Sequence, residues 1–257
     1  MKKLIIILLS FLFLTACSPN EADFKSNVEP TARDEIAFAA DNAEEPSAES
    51  GLEEEAVSPD YAETEPSAEL PDQINLDVTF YSQAPDADWG MPWQEACEEA
   101  SLILAYYYVT DQPLSKEKFK EEVWGLVDWQ NENFGGYIHT STAQNVEILK
   151  EYFGYEDFEI VDDPTVEDMK KALAAGHPIV APFAGRLMEN PFFTAPGPYY
   201  HVLVIKGYDG KNFITNDVGT RRGHNFIYSY ENILSSLHDY DSEKDIKEGP
   251  KNIIILK

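Results

Sequence analysis

The chain has 257 residues and a formal charge of −28, with 47 Asp and Glu against 19 Lys and Arg. An acid excess of that size excludes a phosphate-tracking surface, and neither a Gly-rich phosphate loop nor a dinucleotide fingerprint is present, so no nucleic-acid partner is expected. There are two cysteines, Cys17 and Cys97, and only Cys97 falls in the part expected to fold, which leaves no internal disulfide.

The N-terminus reads as a targeting segment. Lys2 and Lys3 precede an almost unbroken apolar run from Leu4 to Leu14, closed by Leu14-Thr15-Ala16-Cys17. The run is short for a membrane span and has the layout of a secretory signal. Its last four residues resemble the bacterial lipoprotein signal. The resemblance implies that residues 1–17 form a signal ending in Cys17, which is acylated and becomes the mature N-terminus. Two or more acyl chains anchor stably, so the expected place is the extracytoplasmic side of a membrane, tethered through Cys17. Residues 18–72 carry 17 Asp and Glu against Lys25 and Arg33, and are rich in Ala, Ser and Pro. Such a stretch buries too little to offset its ordering entropy, and its like charges extend it, so it is expected to be a disordered acidic linker. Residues 73–257 suit one domain with a sizeable core, expected to be a monomer.

Within that domain, Leu76–Ser82 alternates as a strand, and residues 84–93 form a Pro/Asp/Gly/Trp loop. From Glu95 to Val109 apolar residues are dense, which predicts a helix buried on more than one side. Ser115 caps a second helix through Phe119, Val123 and Leu126, followed by a loop over Asn131–Tyr137. Ser141-Thr142-Ala143-Gln144 is a capping box that opens a third helix to about Phe153. Thr165 caps a fourth, which Gly176 ends. The remainder reads as strands: Ile179–Phe183, His201–Tyr208, Asn212–Asn216, Asn225–Tyr230 and Asn252–Leu256. A hairpin turn spans Gly207–Lys211, and a further helix spans Tyr230–Leu237. Helices first and a mostly antiparallel sheet second is an α+β layout.

The chemistry centres on Cys97, in Pro92-Trp93-Gln94-Glu95-Ala96-Cys97-Glu98-Glu99-Ala100-Ser101. A thiol at a helix start is biased toward thiolate by the backbone N–H groups there, and the thiolate is the attacking form. The bland alternative is a small buried hydrophobe. His201 opens one strand and Asp217 follows its hairpin partner, so the two are expected side by side, the acid orienting the imidazole. Gln83, at the end of the first strand, has an amide able to donate to an oxyanion. Trp89, Trp93 and Tyr199-Tyr200 either line a groove or pack the core edge.

Tyr81-Ser82-Gln83, Cys97-Glu98-Glu99-Ala100-Ser101-Leu102, Ala174-Ala175-Gly176-His177-Pro178-Ile179-Val180, His201-Val202-Leu203-Val204-Ile205-Lys206-Gly207-Tyr208 and Asn216-Asp217 stand in the order found in papain-like cysteine peptidases. The nearest branch resembles the bacteriocin-processing, double-glycine leader peptidases and their stand-alone relatives, over roughly residues 74–257. The resemblance implies a papain-like fold and no cofactor. It assigns Cys97 as nucleophile, His201 as base, Asp217 as its orienting acid and Gln83 as oxyanion donor, acting on a peptide or protein substrate through a thioester. Two positions depart from the pattern. Glu98-Glu99 stand where many relatives have Gly-Pro, and two carboxylates beside a nascent thiolate oppose its ionisation. Val218 stands where Pro often follows the acid. With no transporter segment, an export-coupled leader peptidase is not expected. The rival readings are an inactive binding module of the same fold, holding a peptide or wall fragment, and an acyltransferase. His139, His177, His224 and His238 lack metal-ligand spacing. The alternate carboxylates from Asp239 to Asp245 lack the calcium loop's glycine, with Lys244 in its place, and read as a solvated acidic loop.

Overall fold

The computed structural model describes residues 69–257. The signal segment, Cys17 and residues 18–68 of the expected linker lie outside the described residues.

A seven-stranded antiparallel sheet organises the domain, with five helices on its two faces. In chain order the elements are β1 (Ile74–Asn75), α1 (Cys97–Val109), α2 (Lys116–Asn133), α3 (Thr142–Glu151), β2 (Phe158–Asp162) and α4 (Val166–Ala174). There follow β3 (Ile179–Ala184), β4 (Tyr200–Asp209), β5 (Asn212–Asn216), β6 (Phe226–Ser229), α5 (Tyr230–Ser236) and β7 (Asn252–Leu256). The strands lie in the order β2-β7-β3-β4-β5-β6, with β1 added against the far end of β4. This is the α+β architecture the sequence predicts. Among the described residues no helix is long and apolar enough to cross a membrane.

Strand periodicity divides the core. Val180, Val202, Val204 and Ile254 face α1, α2 and α3, while Ile179, Leu203, Ile205, Ile253 and Ile255 alternate with them and face α4 and α5. With both faces covered, β3 and β7 are buried throughout, which is why they read as continuous apolar runs. Ten of the thirteen α1 residues are buried, so α1 is the central helix, and Ser101 Oγ donates to Val202 O on β4 at 3.1 Å. That packing brings the N-terminal end of α1 to the start of β4. The caps form as expected: Ser115, Ser141, Thr165 and Ser229 each accept a backbone N–H, and the boxes Ser141/Gln144 and Thr165/Asp168 close in both directions.

The N-terminal segment differs from expectation. Only Ile74–Asn75 is a strand, and Leu76–Ser82 makes no strand ladder. Side chains and single backbone bonds satisfy its groups instead. Lys206 Nζ donates to Leu76 O, and Asn216 Nδ2 donates to Val78 O and Thr79 O. The register shift of β4 and β5 between Ile205 and Gly207 accompanies this arrangement. Gly207 is required there, since a Cβ would stand 2.3 Å from Ile74 O. β2 was not foreseen. It is a sheet-edge strand with a half-exposed pattern, so it lacks the apolar run that marks its neighbours. The loop from Asp239 also departs from a purely solvated reading: Asp239 is buried and accepts from Thr142 N, Tyr240 N and Tyr200 Oη. Close to the start of the described residues, the Pro71 carbonyl accepts from Tyr208 Oη at 2.8 Å.

Candidate active site

Cys97 is the first residue of α1, preceded by a 3-10 turn at Trp93–Glu95. His201 is the second residue of β4, and Asp217 follows β5 directly. The β4–β5 register sets Val204 opposite Asn216, so the strand start and the neighbouring strand end lie together as the hairpin requires. Cys97, His201 and Gln83 all line one cleft of about 900 Å3.

The acid half of the site is fully built. His201 Nε2 lies 2.8 Å from Asp217 Oδ1, and both side chains are buried. Gly219 N donates to the same oxygen at 3.0 Å, while Asn190 Nδ2 at 2.8 Å and Tyr228 Oη at 2.6 Å donate to Oδ2. Burial raises the Asp217 carboxyl, but the His201 ring and the donors from Tyr228 and Gly219 together hold it below the ordinary range. Burial, then the Asp217 charge, pushes Tyr228 far up, so it remains a donor. The consequence for His201 is geometric. With Nε2 committed to the carboxylate, Nδ1 is the ring nitrogen left for the nucleophile.

The thiol half departs from the helix-start expectation. Cys97 Sγ donates to Glu98 Oε2 at 2.9 Å, and among the described residues its hydrogen bond runs there and not to His201. Burial first, then the Glu98 charge and that bond, raise the thiol well above its ordinary value, although the Val202 backbone works the other way. The favourable N–H field at the head of α1 is therefore outweighed. Glu98 is itself buried and accepts Thr140 N at 3.0 Å. Burial pushes its carboxyl up to about 7, while the Cys97 bond, the backbone N–H groups and the His201 ring restrain the rise. Glu99, also buried, accepts Gln130 Nε2 at 2.5 Å and is raised further by burial and by Glu98. The opposition to thiolate read from Glu98-Glu99 thus has a concrete geometry.

Gln83 is placed beside the site by two ties to Val218 O: Gln83 N at 2.9 Å and Ser82 Oγ at 3.2 Å. Its Nε2 donates to Trp93 O and Gln94 O, each at 2.9 Å, so both amide hydrogens brace the turn that delivers Cys97. Trp89 and Tyr199 line the cleft. Trp93 packs edge-on against Trp124, and Tyr200 is buried with its hydroxyl on Thr140 O and Asp239 Oδ1. Sequence reasoning missed Asn190 and Tyr228, which support Asp217 from distant elements, and Thr140, which holds Glu98. No local motif marks any of the three.

Gly219 lies against the imidazole, where a Cβ would stand 2.7 Å from His201 Cε1 and 3.1 Å from Phe193 Cε1. Gly219→Ala therefore displaces the ring from Asp217. The expected result is destabilisation of about 1–3 kcal/mol and a shift of the His201 ring resonances. His201 ring resonances that coincide with those of the unsubstituted chain by NMR would contradict it.

A model of the Peptidase_C39 like family matches residues 75–242. No protein with a curated description matches the chain. Among solved structures, a C39-like peptidase from Bacillus anthracis is 17% identical, with 73% of this chain and 98% of that one covered and a TM-score of 0.48. Xylellain, a cysteine protease from Xylella fastidiosa, is 15% identical, with 74% of this chain and 87% of its own covered and a TM-score of 0.41.

Proposed function

The chain belongs to the Peptidase_C39 like family, and on that footing we propose that it is a membrane-tethered, extracytoplasmic cysteine hydrolase that cleaves peptide or isopeptide bonds. One observation carries the reading: His201 is tied to Asp217 through Nε2, and its ring borders the cleft that also holds Cys97. In the proposed reaction the Cys97 proton passes to His201 Nδ1 and the sulfur attacks the scissile carbonyl carbon. The tetrahedral oxyanion takes the N–H of Cys97, which has no carbonyl one turn back within α1. It also takes one Gln83 amide hydrogen, released from the Trp93–Gln94 turn. Collapse breaks the carbon–nitrogen bond as His201 protonates the leaving amine. Water, deprotonated by His201, then hydrolyses the thioester and restores the thiol. Asp217 keeps the ring in one orientation throughout. The order of these four residues supports a kinship with the bacteriocin-processing peptidases.

The test is incubation of the full chain with denatured protein, scored by mass spectrometry for new peptide termini and for an acyl adduct on Cys97. New termini that vanish in Cys97→Ala support the hydrolase. A specific observation favours the rival binding module: the thiol is held by Glu98. Peptide retention without new termini would establish that rival.

The tether rests on Leu14–Cys17 following the apolar run. Metabolic labelling with an alkynyl fatty acid should mark the full chain and leave Cys17→Ser unlabelled. Equal labelling of both would remove the tether from the proposal.

A further inference from the structure

Residues 73–257 hold 30 Asp and Glu but only three arginines, Arg186, Arg221 and Arg222. All three gather at one place: Arg221 and Arg222 line the active-site cleft, and Arg186 lines the smaller pocket that shares Phe193 and Gly197 with it. None forms an ion pair among the described residues, whereas six lysines do. Arginine is the side chain best shaped for bidentate carboxylate binding, and carboxylates outnumber cations two to one in this domain. No ion pair among the described residues therefore occupies the N–H edges of these arginines.

The loop that carries them is firmly placed. Asp217 N donates to Gly223 O at 3.0 Å, Gly223 N to Thr220 O at 3.3 Å, and Arg222 N to Thr220 Oγ1 at 3.2 Å. Gly219 N donates to Asp217 Oδ1, and Gly219 itself lies against His201. Arg221 and Arg222 are thus exposed on a turn anchored to the carboxylate that orients the imidazole. The Arg222 guanidinium sits 4.8 Å over the Phe192 ring. Such stacking uses the face of the guanidinium and leaves its N–H edge available. The acidic groups that line the cleft, Glu95 and Glu98, belong to the 3-10 turn and to α1, not to this loop.

We propose that Arg221 and Arg222 form a carboxylate-binding subsite beside His201, so that the peptide held at Cys97 carries an acidic group close to the scissile bond. This rests on the reading of the cleft as a peptide site and deepens it by naming the substrate class. The carboxylate belongs to an Asp or Glu side chain or to a peptide C-terminus. Both present the same planar acceptor to the guanidinium edge, and both pay electrostatic repulsion against the rest of this acidic surface, which the arginine pair offsets locally.

The test uses the full chain with Cys97→Ala, which prevents turnover, and fluorescein-labelled peptides that differ only by Glu for Gln. Each peptide is made with a free or an amidated C-terminus, and binding is read by anisotropy. At least one carboxylate-bearing peptide should bind about tenfold or more tightly than the amidated Gln peptide, and which one distinguishes side chain from terminus. Adding Arg221→Gln and Arg222→Gln, both at exposed positions, should reduce that preference to under about twofold. Equal binding of all peptides, no measurable binding of any acidic peptide, or a preference that survives both substitutions would overturn the subsite. The two readings fail separately. Arginine-dependent preference without cleavage by the unsubstituted chain would remove the hydrolase and keep the subsite, while cleavage without preference would do the reverse.

Discussion

If the proposed hydrolase reading holds, Cys97→Ala is expected to abolish turnover and to leave the fold intact, because the substitution removes one small atom group while the packing of α1 is carried by Ala100, Leu102, Ile103 and Leu104. His201→Ala is expected to lower turnover by about 10²–10⁴-fold, the range for loss of a positioned acid–base group. Asp217→Asn is expected to be milder. Its Oδ1 still accepts from His201, but the Asn amide then faces the donors Tyr228 and Asn190, so ring orientation is lost only in part. Rates with a peptide found cleavable by mass spectrometry, together with melting midpoints, check all three. Retained turnover in Cys97→Ala would place the chemistry elsewhere.

The second large effect belongs to Glu98. Its carboxylate accepts the thiol proton and its carboxyl is raised to about 7 by burial. Above that pH the charge holds Cys97 as a neutral thiol. Below it, a neutral Glu98 no longer opposes the thiolate and can donate to it. The groups facing Glu98 are Cys97 and Glu99 on α1, Tyr137 before α3, and Tyr200 and His201 on β4. Glu98→Gln keeps an acceptor for Thr140 N and offers the sulfur a donor instead of a charge. It should raise alkylation of Cys97 about tenfold or more at pH 8, since one unit of thiol shift is about 1.4 kcal/mol. The ratio of variant to parent rates should fall toward one as pH drops below 7. The sign for stability is the same. A carboxyl raised in the folded state stabilises it below the unfolded value, and that contribution is lost as pH rises through about 7. A ratio that is flat with pH would show that the Glu98 charge does not control the thiol.

Local signals were legible and long-range ones were not. The capping boxes at Ser141 and Thr165 need only residues three apart, and both form as read. The hairpin that sets His201 beside Asp217 was likewise visible as two apolar runs around a short turn. Leu76–Ser82 alternates like a strand, yet its partners are the Lys206 and Asn216 side chains, which no period reveals. At Cys97 two opposing effects differ in how far they can be read from local sequence. The helix-start field depends on local sequence and was visible, while the depth of burial that overrides it is a property of the assembled core. The Gln83 amide is engaged with Trp93 O and Gln94 O, a contact set by the fold of that turn and not visible in the local sequence.

The most direct test of a coupled Cys97–His201 pair is the iodoacetamide alkylation rate of Cys97 at neutral pH, read on the Cys97 peptide by mass spectrometry. It is made in Glu98→Gln, where the competing acceptor charge is gone, with and without His201→Ala. The pair predicts a fall of about tenfold or more on removing the imidazole, as the thiolate loses its cationic partner. An equally slow rate in both, like that of an inert buried thiol, would contradict it.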